Sequence, residues 1–447
     1  MISNEKNITI IGAGFTGLSS AYYLLKKGFH VEIFESAPFI GGQASTINLS
    51  GFEIERGYHH LFTGDTNIID LMNDLGLQNT LKWHPSSVGI FDGEKLFSFQ
   101  SPIDLIKFDK IPLFDRLRLG LITLFLKYKK KWKSLESFTA SDWIRGRAGK
   151  NVYDQIWGPL LRGKFGDYSE EIGMPWFWGK IQTRFGSRKR FSQEVLGYPD
   201  GSFKIILDTL SKKIQSLGGV IYKNSPVKKI YFNDQKELKI KYIENNISQK
   251  TKNTNVVLST VPSFEMLKIC DFPDEYKVKL ESSKYLGASV FIMELKESLT
   301  PYYWLNIADK NSPFLGVIEQ SNLLSHNYYK NKHFLYLTNY LDRNDWRYKL
   351  EESELLNIYC DYLKKINVNF NKDWILDYTY NKISAAQPII GKNYGEIIPE
   401  IITPLKGVFL ANTTQIYPED RGTNYSVKMS QKVVDLIDKH FRDLESL

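Results

Sequence analysis

The chain has 447 residues, 42% of them hydrophobic, and is expected to form two or three domains rather than one. Its two cysteines, Cys270 and Cys360, stand far apart, which argues against a disulfide framework or a CxxC redox pair. The formal net charge of +8 is compatible with nucleic acid, an anionic membrane or anionic substrates, so the position of the charge has to decide among them.

The first residues, MISNEKNITIIGAG, lack the apolar segment and the small-residue cleavage site of a secretion signal. No uncharged apolar run approaches the roughly 20 residues that a bilayer-spanning helix needs. We therefore expect a cytoplasmic protein without a transmembrane helix. Peripheral attachment to the inner face of the cytoplasmic membrane stays open.

A strand, a glycine loop, a helix and a second strand follow one another within about 30 residues, as in a nucleotide-binding half-fold. The predicted elements are Ile8–Ile11, Phe15–Lys27 and His30–Phe34. Two hairpins come next, turning at Ser50-Gly51 and at Asp92-Gly93. The predicted hairpin strands are Thr46–Leu49, Phe52–Glu55, Val88–Phe91 and Lys95–Phe99, and a helix between the hairpins is predicted from its cap Asp65 to Leu75.

From about residue 102 to 192 the pattern is helical and rich in aromatic and basic residues, with long helices predicted at Pro112–Lys133 and Thr139–Ile156. Strands dominate the second half of the chain. They are predicted at Val220–Tyr222, Val227–Phe232, Leu238–Ile243, Val256–Val261, Ala288–Leu295, Phe314–Gln320, Phe334–Tyr340, Trp374–Tyr380 and Gly407–Ala411. The chain closes with a helix predicted from about Thr423 to Arg442.

The first loop carries the pattern GxGxxG, in which each glycine has a separate use. Its residues are Gly12, Ala13, Gly14, Phe15, Thr16 and Gly17. The first glycine permits a tight turn, the second lets a pyrophosphate approach the backbone, and the third lets the helix pack on the strand. The N-terminus of the following helix then faces the phosphates with its partial positive charge. The context of strand and helix makes this a specific signal for a dinucleotide.

Glu35 ends the second strand and is expected to accept hydrogen bonds from the adenosine ribose, while its charge disfavours a 2′-phosphate. The cofactor is therefore FAD or NAD rather than NADP. Gly41 and Gly42 offer a second stretch of bare backbone to the pyrophosphate. Dehydrogenases that bind only NAD rarely need such a second glycine pair. An ordinary turn is the alternative for this pair.

Residues 11–46, IGAGFTGLSSAYYLLKKGFHVEIFESAPFIGGQAST, resemble the N-terminal signature of the flavin-containing amine oxidase superfamily, which includes protoporphyrinogen oxidase-like and phytoene desaturase-like enzymes. Three further segments resemble the bacterial protoporphyrinogen oxidase-like branch. They are GYHHLF at 57–62, WGPLLRGKFG at 157–166 and GYPDGSF at 197–203. The resemblance implies that FAD is also contacted by Ser36, Gln43, Val227, Asn412, Asn424 and Tyr425. Gln43 stands where many members have arginine, and Asn412-Thr413 replaces a Gly-Asp pair.

The resemblance implies an α/β fold with a Rossmann-like FAD-binding domain, a mixed-sheet substrate domain and a helical insertion. We assign 1–75, 195–268 and 400–447 to the FAD-binding domain and 76–104 and 269–399 to the substrate domain. Residues 105–194 form the insertion, which is a candidate for facing a membrane.

The resemblance also implies that the substrate reduces FAD by passing a hydride to flavin N5. No second GxGxxG follows a later strand, so a separate NAD(P)H domain is not indicated. The C-terminal segment has no cysteine, which favours non-covalent FAD over a thioether link. Oxygen or a quinone is expected to accept the electrons.

Protein groups that could assist the chemistry are His59 and His60, in a loop that the family places near the flavin, and Arg421 at the start of the last helix. Alternatively, each histidine could simply form hydrogen bonds within its loop and have no role in the chemistry. Arg162, Lys164 and Arg421 could bind an anionic head group or the flavin, although solvation at the surface is the favoured explanation for Lys164 and less so for Arg421. No histidine has companion ligands at useful spacing, so no metal is expected.

Two basic segments remain as candidate binding surfaces. Arg184, Arg188, Lys189 and Arg190 could bind phosphate or form a solvated loop, and no nucleic-acid motif accompanies them, so nucleic acid is not expected. In 112–133 one helical face is apolar, which is typical either of a helix lying at an anionic membrane surface or of a core helix with a solvated end. That face carries Phe114, Leu117, Leu121, Leu124, Phe125, Tyr128 and Trp132, and the basic residues are Arg116, Arg118, Lys127, Lys129, Lys130, Lys131 and Lys133.

Together these features predict an FAD-dependent oxidoreductase that oxidises or desaturates an apolar, lipid-like or amphiphilic small molecule. A redox-neutral, flavin-dependent nucleotide-sugar mutase is the alternative, because GYHHLFTGD at 57–65 resembles a segment of that family. Such a mutase would use reduced FAD as a nucleophile and arginines to hold a diphosphate. A flavin-binding protein without turnover is a third hypothesis.

Overall fold

Two large sheets and a helical segment make up the computed structural model, which describes residues 6–186, 194–325 and 327–446. The strands in these ranges are β1 (Asn7–Ile11), β2 (His30–Phe34), β3 (Thr46–Leu49), β4 (Phe52–Glu55), β5 (Leu81–Pro85), β6 (Val88–Phe91), β7 (Leu96–Ser98), β8 (Val195–Pro199), β9 (Val220–Tyr222), β10 (Val227–Phe232), β11 (Leu238–Glu244), β12 (Ser248–Asn253), β13 (Val256–Ser259), β14 (Tyr285–Leu295), β15 (Trp304–Ile307), β16 (Gly316–Glu319), β17 (His333–Leu341), β18 (Ile375–Pro388) and β19 (Val408–Leu410).

The helices in the same ranges are α1 (Phe15–Lys26), α2 (Thr66–Asp74), α3 (Pro102–Lys107), α4 (Leu113–Tyr128), α5 (Ala140–Arg147), α6 (Lys150–Val152), α7 (Gly158–Phe165), α8 (Met174–Gly186), α9 (Lys204–Ser216), α10 (Ser263–Ile269), α11 (Asp274–Ser282), α12 (Trp346–Lys349), α13 (Glu352–Ile366) and α14 (Thr423–Glu445). None of them combines the length and apolar character needed to cross a membrane.

The first sheet is parallel, five-stranded and ordered β19-β13-β1-β2-β9. Its strands are apolar on both faces because both are covered, as is usual in parallel sheets. Ile8 and Ile10 pack with α1 and α14, while Ile11 and Val257 pack with β10, β11 and α10 on the other face. The predicted β-loop-α-β unit is confirmed, and the α/β class predicted for the chain is correct.

The second sheet is mixed, seven-stranded and ordered β18-β14-β17-β16-β15-β6-β7. β14 is buried along its whole length, because alternate side chains face two different cores. Phe291 and Met293 pack against α13, whereas Val290 and Ile292 face the core that the sheet shares with the first domain. The sheet therefore forms one wall of the junction between the two lobes.

The segment between the two lobes is helical, as predicted, but its helices are shorter than the sequence pattern suggests. The predicted helix Thr139–Ile156 breaks at Gly149, whose φ of +101° is accessible to glycine and costly for other residues. The predicted helix Pro112–Lys133 is wrong at its C-terminal end, because α4 stops at Tyr128 and Lys129 is extended. Trp178 and Gln182 of α8 donate hydrogen bonds to the carbonyls of Lys129 and Leu126, which ends α4 from outside.

The predicted hairpin β3–β4 is confirmed at both strands, with Ser50 and Gly51 at positive φ in its turn. The predicted second hairpin also forms, as β6–β7. Its strands join the edge of the mixed sheet, where β6 runs parallel to β15.

Candidate active site

The glycine loop after β1 leaves no room for side chains. Gly12 has φ of +101° and donates its N–H to the carbonyl of Phe34 at 2.9 Å. A Cβ on Gly17 would lie 2.0 Å from the Gly12 carbonyl oxygen, so only glycine lets α1 start this close to the loop. The first backbone N–H groups of α1, at Phe15, Thr16 and Gly17, have no acceptor within the helix and are available to an anion.

The second glycine pair lies against the first loop, so the two form one surface. Gly41 donates its N–H to Ala13 at 2.8 Å, and Gly41 and Gly14 pair as a parallel bridge. A Cβ on Gly42 would lie 3.2 Å from the Gly14 Cα, and a Cβ on Gly14 would meet nothing nearer than 4.0 Å. The bare backbone therefore faces open space beside the N-terminus of α1, which is the cradle that a pyrophosphate requires.

Glu35 lies at the end of β2, where the sequence analysis places the ribose contact. Its Oε2 accepts the N–H of Ala13 at 2.7 Å, and its Oε1 accepts the N–H of Ala37 at 2.8 Å and the hydroxyl of the exposed Ser36 at 3.2 Å. A carboxylate has about four acceptor positions, so one stays available on Oε2. The Glu35 carbonyl accepts the N–H of Ser225, which brings the start of β10 and Val227 to this end of the sheet.

Four residues assigned to the cofactor from the family resemblance also contact protein groups, and their cofactor contacts stay predictions. Gln43 donates to the carbonyl of Ala385 at 2.7 Å, which ties the first domain to β18. Asn412 is buried, donates to Val261 and Ser263, and accepts the N–H and hydroxyl of Thr414. Its own backbone N–H binds Gln415. These contacts favour structural roles for Gln43 and Asn412.

Asn424 and Tyr425 likewise face protein. The side-chain oxygen of Asn424 accepts the backbone N–H groups of Asn67 at 2.9 Å and Ile68 at 3.2 Å, so Asn424 caps α2 from a distant helix. Asp65 occupies the cap position but does not cap α2, because its carboxylate accepts the N–H of Phe62. Tyr425 lies near Thr183 of α8, and burial raises its pKa to about 12.

A largely buried cluster of polar side chains, called the cleft below, lies where the helical segment meets the parallel sheet and the mixed sheet, and Asp420 is at its centre. Asp420 Oδ2 pairs with Lys164 Nζ of α7 at 2.6 Å and Lys180 Nζ of α8 at 2.8 Å. Its Oδ1 accepts the indole N–H of Trp176 at 3.0 Å. Burial alone would raise the pKa of Asp420, but the neighbouring cations hold it well below its usual range. Asp420 is therefore a carboxylate at neutral pH.

Arg421 connects the first domain to the mixed sheet. Its guanidinium donates to the hydroxyl of Tyr340 on β17 at 2.7 Å and to the side-chain oxygen of Gln387 on β18 at 3.2 Å. The hydroxyl of Tyr340 lies 3.2 Å from that of Tyr58, and the ring of Tyr58 packs edge-on against Trp304. The partners of Arg421 are neutral, so its charge is not cancelled by this contact.

The two predicted histidines lie at the border of this cleft. His59 Nδ1 is 2.6 Å from the Gly57 carbonyl, and His60 Nδ1 is 2.8 Å from the hydroxyl of Tyr303. Burial lowers the pKa of His59 to about 4 and that of His60 to about 3. Both are neutral at physiological pH and are weak proton acceptors, so a general-base role for either stays a prediction.

Arg184 adds a fourth cation to the cleft. Its guanidinium lies 5.9 Å from the ring centre of Trp304, and its charge contributes to lowering the pKa of Lys180 and of His60. Burial is the main cause of the lowered pKa of Lys180, about 8, and the neighbouring Asp420 opposes it. Lys164, Lys180 and Arg421 thus act on the buried carboxylate of Asp420, and Arg184 lies close enough to both lysines for its charge to lower their pKa.

Several members of the cleft have no signal in the sequence. Lys180, Tyr340, Gln387 and Asp420 lie outside every motif, although Lys180 stands one helical turn before Arg184 and Asp420 immediately precedes Arg421. Lys164, for which solvation was the alternative, is in the cleft, whereas no described contact places Arg162 there. Residues 188–190 lie outside the described residues. Within the described ranges, no group of three His, Cys, Asp or Glu residues is arranged to hold a metal ion.

The predicted apolar helix face is exposed. We define the α3–α4 surface as the exposed apolar residues Ile103, Ile106, Leu113, Phe114, Leu117, Leu121, Leu124, Phe125 and Tyr128. Arg116 and Arg118, predicted to supply charge to it, donate instead to carbonyls of neighbouring segments, and Trp132 packs on Tyr417. The cations near its C-terminal end are Lys127, Lys129, Lys130, Lys131 and Lys133.

The family described as flavin containing amine oxidoreductase matches residues 15–418 of this chain. Coproporphyrinogen III oxidase of Staphylococcus aureus is 28% identical over 53% of this chain and 57% of that enzyme. 15-cis-Phytoene desaturase of Capsicum annuum is 26% identical over 90% of this chain and 73% of the other. The matched part of the chain spans less than two thirds of the length of the porphyrinogen oxidases to which it is similar.

The fold is shared with solved structures of low sequence identity. The crystal structure of an oxidoreductase from Methanosarcina mazei superimposes with a TM-score of 0.73 at 18% identity, covering 96% of this chain and 100% of the other. The family resemblance inferred from the N-terminal residues is confirmed by the family match, and the predicted fold class by this superposition.

Proposed function

Because the chain belongs to the flavin-containing amine oxidoreductase family, it is an FAD-dependent oxidoreductase, and we propose that it oxidises or desaturates an amphiphilic small molecule. The cleft around Asp420 and Arg421 is the observation that supports this substrate class. It combines cations with the partly buried ring of Trp304, beside the buried rings of Trp176 and Tyr303. The Trp304 ring suits an apolar body, and the charges suit a polar end.

FAD is held without a covalent bond in this proposal. The glycine cradle formed by the loops at 12–17 and 41–42 fits the pyrophosphate, and Glu35 retains an acceptor for the ribose. Both cysteines are buried in apolar clusters, and burial raises the pKa of Cys270 to about 12 and that of Cys360 to about 11. Neither is suited to forming a thioether.

The chemistry that FAD supplies when bound is acceptance of a hydride from a substrate C–H at N5. The substrate loses a proton with that hydride, and oxygen or a quinone takes up the two electrons afterwards. The chain's own contribution is orientation and exclusion of water. Arg421 and Tyr340 link the first domain to the mixed sheet across the cleft, and the neutral His59 and His60 line its border.

The α3–α4 surface supports a peripheral location on an anionic lipid bilayer, with the protein on the cytoplasmic side. Nine large apolar side chains are exposed on two consecutive helices, and Phe114 is 74% exposed. Lysines cluster at one end of this surface, where each is worth about 1 kcal/mol near anionic lipid. Apolar insertion and charge complementarity therefore favour a lipid surface over a second protein.

A redox-neutral mutase acting on a nucleotide sugar is the second candidate. The excess of cations in the cleft favours it, because a diphosphate needs several positive charges. The two candidates differ in their electron balance. An oxidase consumes one acceptor molecule per turnover, whereas a mutase needs reduced flavin and has no net electron transfer.

The flavin absorbance of the purified, FAD-loaded protein separates these candidates under anaerobic conditions. Loss of the oxidised-flavin band on adding a membrane lipid extract, but not on adding a nucleotide-sugar pool, is the expected result. Turnover of a nucleotide sugar only after chemical reduction of the flavin would establish the mutase instead. Protein that takes up FAD but responds to neither addition in either redox state would refute both.

A further inference from the structure

We propose that the cleft around Asp420 contains a binding site for an oxyanion, a carboxylate or phosphate group at the polar end of the substrate. This inference rests on the proposed function and names its substrate class more narrowly. The site is formed by Lys164 of α7, Lys180 and Arg184 of α8, and Arg421 at the start of α14.

The charge count in the cleft leaves positive charge uncompensated. Lys164 and Lys180 share one carboxylate oxygen of Asp420, so a single negative charge serves two ammonium groups. Arg421 donates to the neutral groups of Tyr340 and Gln387. Arg184 lies over the ring of Trp304. Asp65 is a second carboxylate close enough to Lys180 for the two charges to interact. Four cations against these two carboxylates leave an excess of one to two positive charges, depending on the protonation of Lys180.

Charges held away from bulk water are costly unless they are paired, because neighbouring protein replaces only part of their hydration. Lys164 and Lys180 experience this cost, since burial lowers the pKa of each despite the nearby Asp420. An anion entering the cleft would relieve it. α14 begins at Thr423, two residues after Arg421, so the partial positive charge of its N-terminus lies near Arg421 in the chain.

The arrangement of α8 directs its cations at the cleft. Trp176, Lys180 and Arg184 are spaced four residues apart, so they share one face of the helix, and Trp176 and Lys180 both contact Asp420. Trp178 and Gln182 lie on the other face and donate hydrogen bonds to carbonyls at the C-terminal end of α4. The cations are therefore fixed by a helix packed on both sides, which reduces the entropy lost when an anion binds.

The same charges oppose a cationic ligand. A protonated amine entering the cleft would face at least three like charges, against Asp420, which is already paired twice, and the single further carboxylate of Asp65. The proposed site therefore disfavours amine substrates, although the description of the family names amines.

The test compares three probes that share a ten-carbon chain: decanoate, decanol and decylamine. Binding to the FAD-loaded, oxidised protein is measured by calorimetry and by the shift of the flavin spectrum, neither of which requires turnover. We expect decanoate to bind about tenfold more tightly than decanol, and decylamine more weakly than both. Decyl phosphate and uridine diphosphate are added as separate probes to distinguish a lipid-like carboxylate or phosphate from a nucleotide.

Two substitutions test the assignment. Arg184→Gln and Lys180→Met should each weaken decanoate about tenfold and leave decanol unchanged. Arg184→Lys should restore part of the preference. Lys268→Met is the matched control, because Lys268 is exposed and its described contacts are an ion pair with Glu265 and a position over the ring of Phe264, both outside the cleft. Because Lys180→Met removes a charge from a buried ion pair and could destabilise the fold, the melting temperature of each variant is recorded. If Lys180→Met does not fold, Arg184→Gln alone decides the test.

Equal affinity for decanoate and decylamine would overturn the site. So would a decanoate preference that survives both substitutions, because the cations would then serve the flavin or the fold alone. Failure of the proposed function has a different signature, in which decanoate binds as expected but no donor bleaches the flavin. A preference for uridine diphosphate over every alkyl probe supports the oxyanion site and favours the mutase.

Discussion

Arg421 donates a hydrogen bond of 2.7 Å to the hydroxyl of Tyr340, which joins the start of α14 to the mixed sheet across the cleft. Tyr340→Phe removes the acceptor and leaves a buried guanidinium short of one partner. We expect the free energy of unfolding to fall by about 1.5 to 3 kcal/mol, as for other hydrogen bonds to charged groups. This change in the free energy of unfolding is measured by urea denaturation of the variant and the wild type. Tyr128→Phe, at a ring 72% exposed to solvent, is the control and should change stability by less than about 0.5 kcal/mol.

Gly17→Ala should prevent the first loop from closing on α1. The added Cβ would meet the Gly12 carbonyl oxygen at 2.0 Å, and this contact is to backbone that cannot rotate away. FAD retention after gel filtration should be lost, or the protein should fail to fold. Gly146→Ala is the matched control, since a Cβ there meets nothing within 4 Å and Gly146 lies inside α5. That variant should bind FAD normally and be about 0.5 to 1 kcal/mol more stable.

Asn424→Ala tests whether this residue serves the fold or the cofactor. Its side-chain oxygen caps α2, so the substitution should lower the free energy of unfolding by about 1 to 2 kcal/mol. FAD affinity, measured by fluorescence titration, should stay within about twofold of wild type, since a structural role predicts no larger change. A tenfold loss of FAD affinity without loss of stability would instead make Asn424 a cofactor ligand, as the family resemblance implies.

Glu55→Gln should change how stability depends on pH. Glu55 is fully buried, and burial raises its pKa from 4.5 to about 7, although Phe203 and Tyr198 donate hydrogen bonds to it. Between these pH values the folded state holds a proton that the unfolded chain has lost. The proton held by Glu55 therefore stabilises the folded state by on the order of 3 kcal/mol below pH 4.5. This stabilisation is lost as the pH rises to about 7.

Chemical denaturation across that pH range checks the sign. The amide of the Glu55→Gln variant does not titrate, so its stability should depend less on pH than that of the wild type. A variant with the wild-type pH dependence would mean that other groups are responsible.

Leu117→Glu combined with Leu121→Glu should abolish binding to lipid vesicles. Both side chains lie on the α3–α4 surface and are more than half exposed, so the fold should tolerate the change. Each buried leucine contributes about 1.5 to 3 kcal/mol, and we expect at least a tenfold loss of affinity for phosphatidylglycerol vesicles in a sedimentation assay.

Val368→Glu is the control for that assay, because Val368 is an equally apolar residue, 86% exposed, beyond the end of α13. Replacing Lys129, Lys130 and Lys131 with glutamine should weaken binding to anionic vesicles and leave binding to neutral phosphatidylcholine unchanged. If the double glutamate variant sediments with vesicles like the wild type, the α3–α4 surface faces something other than lipid.

The sequence predicted local elements well because their signals are local. The glycines at 12–17, the alternation at β3–β4 and the apolar runs at β13 and β19 each report on residues close in the chain. The end of α4 was overpredicted, because the carbonyl contacts from Trp178 and Gln182 that end it come from a helix 50 residues away.

The cleft could not be predicted in the same way. Lys164, Lys180, Tyr340 and Asp420 come from four separate elements, and only their packing brings them together. The contact of Asn424 could not be predicted either, because a position near a cofactor in a family resemblance does not reveal that its amide caps a neighbouring helix.

The central strand of the parallel sheet, β1, pairs with β13, and β13 in turn pairs with β19 near the other end of the chain. A ribosome therefore makes the glycine loop first and the strands that complete its sheet last. At about 5 to 20 residues per second, Leu410 follows the loop by roughly 20 to 80 s. For that interval the apolar faces of β1 and α1 lack their final partners, because β19 and α14 have not yet been made, so the parallel sheet cannot be completed before the end of synthesis.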